Sequence, residues 1–463
     1  METRGLDPVP ERERTGRVRA LFPTWAAANM TVLLLTIGAG LVVFGGLSFW
    51  QVLVVAVTAP AVSFGMVGLI SVAGRDGGAP GMALSRAVFG QRGNLAPGAL
   101  IWVARWGWET VNAVTGAYAL LAVLDVLFDV PSTTTLIMVT LLAFVASSFL
   151  LSGLGVRALR LCCTWSAYLF GGFSVLVLAH LVGATAWPAV LDRPAGPTSA
   201  MIAGIGTLAA GGISWAPTGP DFTRYLPHTA PGRVMVAATV GGAGIVFLPL
   251  VLTGAVMAVG TPGLAVTHDP VSFIGVLLPD WIAVPYLVVA VLGMVLINAM
   301  SMYSAGFTAQ TLGFAVPRAW AVGVNAAISL FLGALLMLVA SSFVDSFVSF
   351  LNLLAVTFSA WIGVFGVDLL RGRTYDPAAL MNTTPTSAYW YSGGVAWNAV
   401  AAWAAGLVVG LLFTGVEWFT GPLATTWPGR NGLGWAVTIV VSGGLYAALP
   451  RPGARQRAEP LHF

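Results

Sequence analysis

The sequence predicts an all-α polytopic membrane protein with about twelve transmembrane helices. Its 463 residues are 57% hydrophobic and only 8% charged, a balance that ordinary water-soluble domains do not have. The apolar runs reach the roughly 20 residues that a helix needs to cross a bilayer, whereas the strands of a membrane barrel would alternate apolar and polar residues. The predicted spans are approximately 25–45, 50–73, 96–122, 134–153, 160–186, 201–226, 234–260, 281–313, 319–341, 345–370, 395–414 and 433–450.

The positions of the arginines predict the orientation of the chain. All 21 basic residues are arginine, and with the N-terminus inside only Arg193 and Arg430 fall on the outer side, while Arg105 falls within a span. Basic residues are retained on the cytoplasmic side, so both termini are expected in the cytoplasm of the inner (plasma) membrane. The first twenty residues are too charged for a cleaved signal, and the helix after them is expected to be retained.

The same pattern predicts how the chain is divided. We expect a cytoplasmic tail over 1–24, a ten-helix core over 25–370, a cytoplasmic loop over 371–394, two peripheral helices over 395–450 and a cytoplasmic tail over 451–463. The net charge of +4 gives no indication of a nucleic-acid partner. The expected partners are a small-molecule substrate and the lipid bilayer, and the sequence does not predict an oligomeric state.

The stretch 211–227, which reads GGISWAPTGPDFTRYLP, interrupts the sixth apolar segment. Because glycine costs about 1 kcal/mol and proline about 3 kcal/mol in a helix interior, the helix is expected to unwind here and restart. Ser214 is the expected N-cap of the second half, with Pro217 in its first turn. Unwound backbone persists in hydrocarbon only where it is buried in protein or lines a cavity, so this break is a candidate binding site.

The first span offers a candidate second break. If five helices repeat with inverted topology, span 1 is the counterpart of span 6, and a break is expected near Thr36 to Gly40 at the same depth. The alternative is that the glycines of this span, including Gly38, serve only close helix packing.

A polar stripe lies inside the third span, where Arg105, Trp108, Glu109 and Asn112 fall within an arc of roughly 100°. Arg105 and Glu109 are four residues apart, and they either neutralise one another or leave Glu109 to carry a coupling proton. Trp108 and Asn112 are either packing residues or a ligand site, because an indole stacks on a planar ring and an amide matches its hydrogen-bonding edge.

Two further polar sets extend this hypothesis. Asn298 and Ser301 lie in the eighth span, where they either line a cavity opposite Trp108 or bond neighbouring helices. Asp221 and Arg224 lie toward the cytoplasmic end of span 6 and suit an ion pair or gate latch. No HExxH or GxSxG motif is present and the four histidines are scattered, which argues against an intramembrane enzyme and gives no metal site.

Four stretches carry a family resemblance: GQRGNLAPG before span 3, GWETVN within it, SWAPTGPDFTRYLP at span 6 and NAMSMYSAG in span 8. Together they resemble the purine–cytosine permease branch of the nucleobase:cation symporter-1 family, over roughly the first ten helices. The resemblance implies a 5+5 inverted-repeat fold, shared with leucine and hydantoin transporters, with broken helices 1 and 6 and two peripheral helices. It also implies uptake of a planar nucleobase with a cation, H+ or Na+, and no cofactor.

Carried over residue by residue, the resemblance places the stacking tryptophan of the family on Trp108 and its amide on Asn112. The substrate-contacting backbone falls on Gly212, Ile213 and Ser214, and the asparagine of span 8 falls on Asn298. Hydantoin-type relatives have a second tryptophan near the position of Gly212, whereas this chain has Trp215 three residues later.

The coupling site departs from the sodium-coupled members, which have hydroxyl residues where this chain has Leu296 and Ile297. Ser301 or backbone carbonyls near Gly38 are the remaining candidates for sodium, and Glu109 is the candidate for a proton. Arg105 and Asp221 complete the predicted coupling and gating set. The alternatives to a nucleobase importer are a symporter of this fold for hydroxymethylpyrimidine, a vitamin, hydantoin, allantoin or an amino acid, and, more remotely, a channel.

Overall fold

Helices form almost all of the regular structure. The computed structural model describes residues 5–265, 278–314, 316–339, 343–416 and 419–451. Within these ranges nine helices are long and apolar enough to cross a membrane, and three shorter apolar helices lie at the first, eleventh and twelfth predicted spans. The prediction of an all-α protein with about twelve spans is therefore confirmed.

The first half of the described chain contains ten α-helices. They are α1 (Leu21–Ala27), α2 (Leu33–Val43), α3 (Phe49–Gly77), α4 (Gly81–Phe89), α5 (Leu95–Phe128), α6 (Thr134–Gly153), α7 (Val156–Ala184), α8 (Trp187–Leu191), α9 (Thr198–Ile213) and α10 (Gly219–Thr223). Short 3-10 helices cover Glu11–Glu13, Val18–Ala20 and Ala216–Thr218.

The second half continues with eight α-helices in its described ranges. They are α11 (Gly232–Gly260), α12 (Asp280–Thr311), α13 (Arg318–Leu338), α14 (Phe343–Leu370), α15 (Pro377–Met381), α16 (Trp397–Leu412), α17 (Trp427–Arg430) and α18 (Gly434–Ala448). A 3-10 helix covers Pro262–Ala265, and β1 (Gly415–Val416) pairs antiparallel with β2 (Phe419–Thr420), so that Gly415 lies opposite Thr420.

The first span is broken at residues 28–32, between α1 and α2, and not at Thr36 to Gly40 as expected. The break follows from local side-chain bonds that compete with the helix ladder. The amide of Asn29 donates to Trp25 O at 2.7 Å, and the hydroxyl of Thr31 accepts from Leu33 N at 3.2 Å, at the start of α2. Gly38 lies inside α2, which is continuous there, so the glycines of this span do not mark its break.

The sixth span is broken where the glycine and proline cluster predicts. After α9 ends, the chain tightens into the 3-10 helix and restarts as α10. Ser214 does not cap the second half: it follows the last residue of α9, has helical dihedral angles, and donates its hydroxyl to Gly211 O at 2.6 Å. The helix tightens rather than unwinds because Pro217 and Pro220 occupy first-turn positions, where their missing N–H groups cost little.

The helix contacts match an inverted repeat of two five-helix units. α3 packs along α11 and α5 packs along α12, so that the second and third spans contact the seventh and eighth. The broken first span lies against α11, and the first half of the broken sixth lies against α3 and α14. α16 and α18 pack on each other and on α14, at the periphery of the bundle. The predicted fold class is confirmed.

The connection between α3 and α5 folds back into the protein as α4, which is buried along its whole length. Arg86 donates to Leu380 O at 3.1 Å and to Thr311 O at 3.0 Å. Burial lowers the pKa of Arg86 to about 10. α4 therefore ties the C-terminal end of α12 to α15.

Candidate functional site

A cavity lies where α2, α5, α9 and α12 converge on the two helix breaks. Its empty volume is about 630 Å³, which includes space open to solvent. The wall combines aromatic and aliphatic side chains with a few polar groups, and the polar or aromatic members are Asn29, Thr31, Arg105, Trp108, Asn112, Thr207, Ser214, Trp215, Phe247 and Ser301.

α5 contributes Trp108 and Asn112, one helical turn apart, to the same wall. The Trp108 ring is partly buried and meets Phe350 edge to face, with 6.1 Å between the ring centroids. Asn112 is 3% exposed, and its amide has no hydrogen-bond partner among the described residues. An aromatic ring thus lies beside an amide with free hydrogen-bonding capacity, which is the arrangement that the sequence predicts. Their contact with a substrate remains a prediction.

Only part of the predicted span 6 segment faces this cavity. Ser214 and Trp215 line it, whereas Gly212 and Ile213 do not. A Cβ atom at Gly212 would lie 2.7 Å from Ser63 Cβ, because this residue packs against α3, and Ile213 is fully buried. Gly211 takes the cavity-facing place: a Cβ atom there would meet Trp108 Cη2 at 3.9 Å.

Arg105 ties α5 to the break after α9. It is 1% exposed, donates to Ser214 O at 3.1 Å and to the hydroxyl of Thr218, and lies over the Trp215 ring, 5.4 Å from its centroid. Among the described residues it forms no ion pair with Glu109, although the two charges interact through space. The sequence left open whether Arg105 pairs directly with Glu109 or leaves it free to carry a proton, and the direct pair is not formed.

Glu109 lies behind the cavity wall and is fully buried. Its Oε1 atom accepts from the Ser301 hydroxyl at 3.3 Å and from Asn325 Nδ2 at 3.4 Å. Ser301 lines the cavity, so one hydrogen bond separates the carboxylate from it. Asn298, also on α12, is fully buried outside the lining, and neither polar atom of its amide has a partner in the described part of the chain.

The other predicted coupling residues lie away from the cavity. Asp221 is 2% exposed and accepts from Gly81 N, at the start of α4, at 2.8 Å. Gly38 packs against the backbone of α11 at Val251. In the ranges that the structure describes, no three His, Cys, Asp or Glu side chains come together in a way that could hold a metal ion.

Two residues were not singled out as site residues from the sequence. Asn29 lines the cavity at the first break, and its signal was an isolated amide in an apolar span. Asn325 bonds Glu109 from α13, and it too is an isolated amide in an apolar helix. An isolated amide does not identify the group that it bonds. The sequence alone therefore does not show whether these residues belong to a site or only join neighbouring helices.

A multi-pass helical bundle with two interrupted spans and a small-molecule cavity at their breaks is the architecture of a secondary membrane transporter. Residues 8–433 match the profile of a family described as permeases for cytosine/purines, uracil, thiamine and allantoin. Because the match covers most of the chain, the protein belongs to this permease family. The resemblance read from the four motifs is confirmed.

A relative and two solved structures agree with this assignment. The chain is 23% identical to YxlA of Bacillus subtilis (strain 168), whose name assigns it provisionally to the purine–cytosine permeases, over 99% of this chain and 98% of that one. Mhp1, a nucleobase-cation-symport-1 family transporter in a closed conformation with bromovinylhydantoin bound, superposes with a TM-score of 0.73 at 19% identity over 96% and 94% of the two chains. MhsT in complex with L-phenylalanine superposes with a TM-score of 0.60 at 11% identity over 94% and 98%. These structures are similar in fold.

Proposed function

We propose that this permease imports a nucleobase or a related planar heterocycle together with a cation, by alternating access around the two helix breaks. One observation carries the proposal: the Trp108 ring and the free amide of Asn112 face the same cavity beside the break after α9. A planar heterocycle needs an aromatic face to stack on and an amide to read its edge, and these two residues supply both. Asn29, Ser214 and Trp215 surround the same space.

The cation coupling is proposed from the relatives, because Mhp1 is described as a transporter of the nucleobase-cation-symport-1 family. The side of α12 that faces the first break is poor in hydroxyl ligands. There Gly293 approaches Met30 O and Ile297 lines the cavity. Ser301 lines the cavity and donates its hydroxyl to Glu109. This arrangement favours a proton over sodium as the coupled cation.

The membrane orientation is part of the proposal. We place both termini in the cytoplasm of the inner membrane because the arginines concentrate on that side of the predicted spans. Arg105 and Asp221 would then lie toward the cytoplasmic side of the break after α9. Their bonds to Ser214 O and to the start of α4 suit groups that hold the cytoplasmic half closed.

The test is uptake of labelled cytosine by cells that lack their own permease. We expect saturable uptake that persists when sodium is replaced and collapses with a protonophore. Trp108→Ala removes the stacking surface, and stacking is worth about 1–3 kcal/mol per base, so half-saturation should rise about 5- to 150-fold. Trp320→Ala, at a tryptophan that is 70% exposed on the outside of α13, is the matched control and should behave as wild type.

The outcomes separate this proposal from its alternatives. Unchanged half-saturation in Trp108→Ala would remove this residue from the site. Competition by unlabelled allantoin, hydantoin, thiamine or an amino acid in place of cytosine would assign another solute to the same cavity. Flux that neither saturates nor runs uphill would indicate a channel.

A further inference from the structure

Glu109 is a fully buried carboxyl group whose two oxygens have different surroundings. Oε1 accepts from two donors, the Ser301 hydroxyl on α12 and Asn325 Nδ2 on α13. Oε2 is buried and has no hydrogen-bond partner among the described residues. A buried polar atom without a partner is costly and rare, so such an atom in a functional region calls for a ligand.

The orientation of the Asn325 amide follows from its other neighbours. Trp102 Nε1 and Trp106 Nε1, both on α5, point at its Oδ1 atom at 3.0 and 3.2 Å. An indole N–H is only a donor, so the oxygen of the amide must face the two tryptophans. Nδ2 must then face Glu109. Asn325 is fully buried, and its amide therefore presents a donor to the carboxyl group in a fixed direction.

This orientation distinguishes the two oxygens chemically. A proton on Oε1 would point an O–H donor at the N–H donor of Asn325, whereas a proton on Oε2 meets no fixed donor in the described part of the chain. We propose that Glu109 Oε2 is the binding site of the coupled proton, and that Asn325 is the positioning residue that directs the proton to this oxygen. The proposal rests on the proposed symport function and identifies its cation.

The surroundings suit a proton better than a metal cation. Hard cations take about six or more oxygen ligands. Close to Glu109 the described residues offer the two carboxylate oxygens and Ser301 Oγ, because the amide oxygen of Asn325 is turned toward the indoles. The charged neighbour of Glu109 on its own helix is Arg105, and Asp221 on α10 interacts with that arginine in turn. Among their described side chains, α12 and α13 present only the uncharged Ser301 and Asn325 to it.

The burial of Glu109 couples its protonation to the conformational state of the transporter. An ionised carboxylate without an ion-pair partner is strongly disfavoured away from water, so a closed, dehydrated transporter requires Glu109 to be protonated. Ser301 connects this requirement to the cavity, because the residue lines the cavity and its hydroxyl donates to Oε1. Substrate and proton then each favour the closed state that the other needs, which is reciprocal linkage.

The first experiment separates driven uptake from exchange in proteoliposomes. At one proton per substrate, a gradient of one pH unit supports about tenfold accumulation. Glu109→Gln keeps the shape and mimics the protonated acid, so it should lose this accumulation, reaching a ratio of about 1, and retain exchange of labelled for unlabelled substrate. Asp125→Asn, at an exposed carboxylate of the same helix, should accumulate as wild type does. Accumulation in Glu109→Gln, or accumulation that needs sodium, would overturn the proposal.

The second experiment needs no substrate. Infrared difference spectra of the purified protein between acidic and alkaline pH should contain the carbonyl band of a buried carboxyl group that loses its proton. That band should disappear in Glu109→Gln and persist in Asp221→Asn, which removes the other buried carboxyl group in this region. If no tested solute is transported, the proposed function fails, and this band still decides whether Glu109 binds a proton. A band that persists in Glu109→Gln would refute the site.

The role of Asn325 is tested by a pH profile. Asn325→Leu removes the hydrogen-bond donor to Oε1. The loss of this donor destabilises the ionised carboxylate and so favours the protonated acid, and the pH midpoint of substrate exchange should therefore move upward. Ser329→Ala, one turn further along α13 at another buried polar residue, should leave the midpoint unchanged. An unchanged midpoint in Asn325→Leu, with normal thermal stability, would exclude a positioning role.

Discussion

Gly38 and Gly254 hold α2 against α11 by close backbone approach. A Cβ atom at Gly38 would lie 2.9 Å from the carbonyl carbon of Val251, and one at Gly254 would lie 2.7 Å from that of Leu35. Carbon atoms in good contact are about 3.5–4.0 Å apart, so a methyl group at either glycine forces the helices apart by roughly 0.6–1.3 Å. Backbone carbonyls near Gly38 are also a predicted candidate for cation coupling, and a Gly38→Ala substitution distinguishes that role from packing.

The expected cost follows from two opposing terms. Overpacking typically costs about 1–3 kcal/mol, and replacing glycine by alanine inside a helix recovers about 0.5–1 kcal/mol. The obstacle at Gly38 is the backbone of another helix rather than a flexible side chain. We therefore expect a net destabilisation of about 1–2 kcal/mol. Adding Gly254→Ala should cost less than it does alone, because the first methyl group has already separated the helices.

Thermal unfolding of the purified protein measures this cost, alongside uptake. Gly38→Ala should lower the midpoint of unfolding, whereas Gly244→Ala should match or exceed wild type, because a Cβ atom at Gly244 of α11 meets nothing within 4 Å. A wild-type unfolding midpoint in Gly38→Ala would refute the packing argument. If uptake then lost its cation dependence as well, the coupling role would be supported instead.

Two further predictions concern other buried contacts. Gly211→Ala has room for its methyl group, 3.9 Å from the Trp108 ring, so it should weaken substrate uptake at normal thermal stability. Gly212→Ala should lower stability, because its methyl group would clash with the side chain of Ser63, whose Cβ atom would lie 2.7 Å away. Equal effects of the two substitutions on uptake and stability would contradict the assigned faces. Arg373→Gln should destabilise the protein by up to about 3–5 kcal/mol in thermal or denaturant unfolding. It leaves Asp368, which is fully buried and bonded to Arg373 Nη2 at 2.7 Å, with only the longer ion pair to Arg451 at 3.8 Å. Adding Asp368→Asn should restore part of that loss, and no loss in the single variant would refute the estimate.

The sequence was sufficient for features that depend on local composition. Apolar runs predicted the spans, and the glycine and proline cluster predicted the break after α9. The helical period placed Trp108 and Asn112 on one face of α5, and both line the cavity. Each of these inferences uses only the segment itself, so no knowledge of neighbouring helices was needed.

Features that depend on contact with a neighbouring helix could not be predicted from the sequence. Glycines predicted a break near Gly38, but this glycine serves contact with α11, and Asn29 and Thr31 form the actual break through bonds to their own backbone. The rotation of α9 put Gly211, and not Gly212, toward Trp108. Spacing alone allowed Arg105 to pair with Glu109, but the carbonyl of Ser214 at the end of α9 provides a partner that spacing does not reveal.

The donor count of Ser301 constrains what the cavity can bind beside it. A serine hydroxyl has one O–H, and in this structure it is directed to Glu109 Oε1. The oxygen of Ser301 then offers only acceptor positions to the cavity, so a substrate group that contacts it while this bond lasts must be a donor, such as a ring N–H. A ring nitrogen with a lone pair would have to take the hydroxyl proton away from Glu109. The hydrogen bond from Ser301 to a carboxyl group outside the cavity thus limits which edge of a heterocycle can be recognised inside it, and in the proposed mechanism recognition and coupling meet at this one side chain.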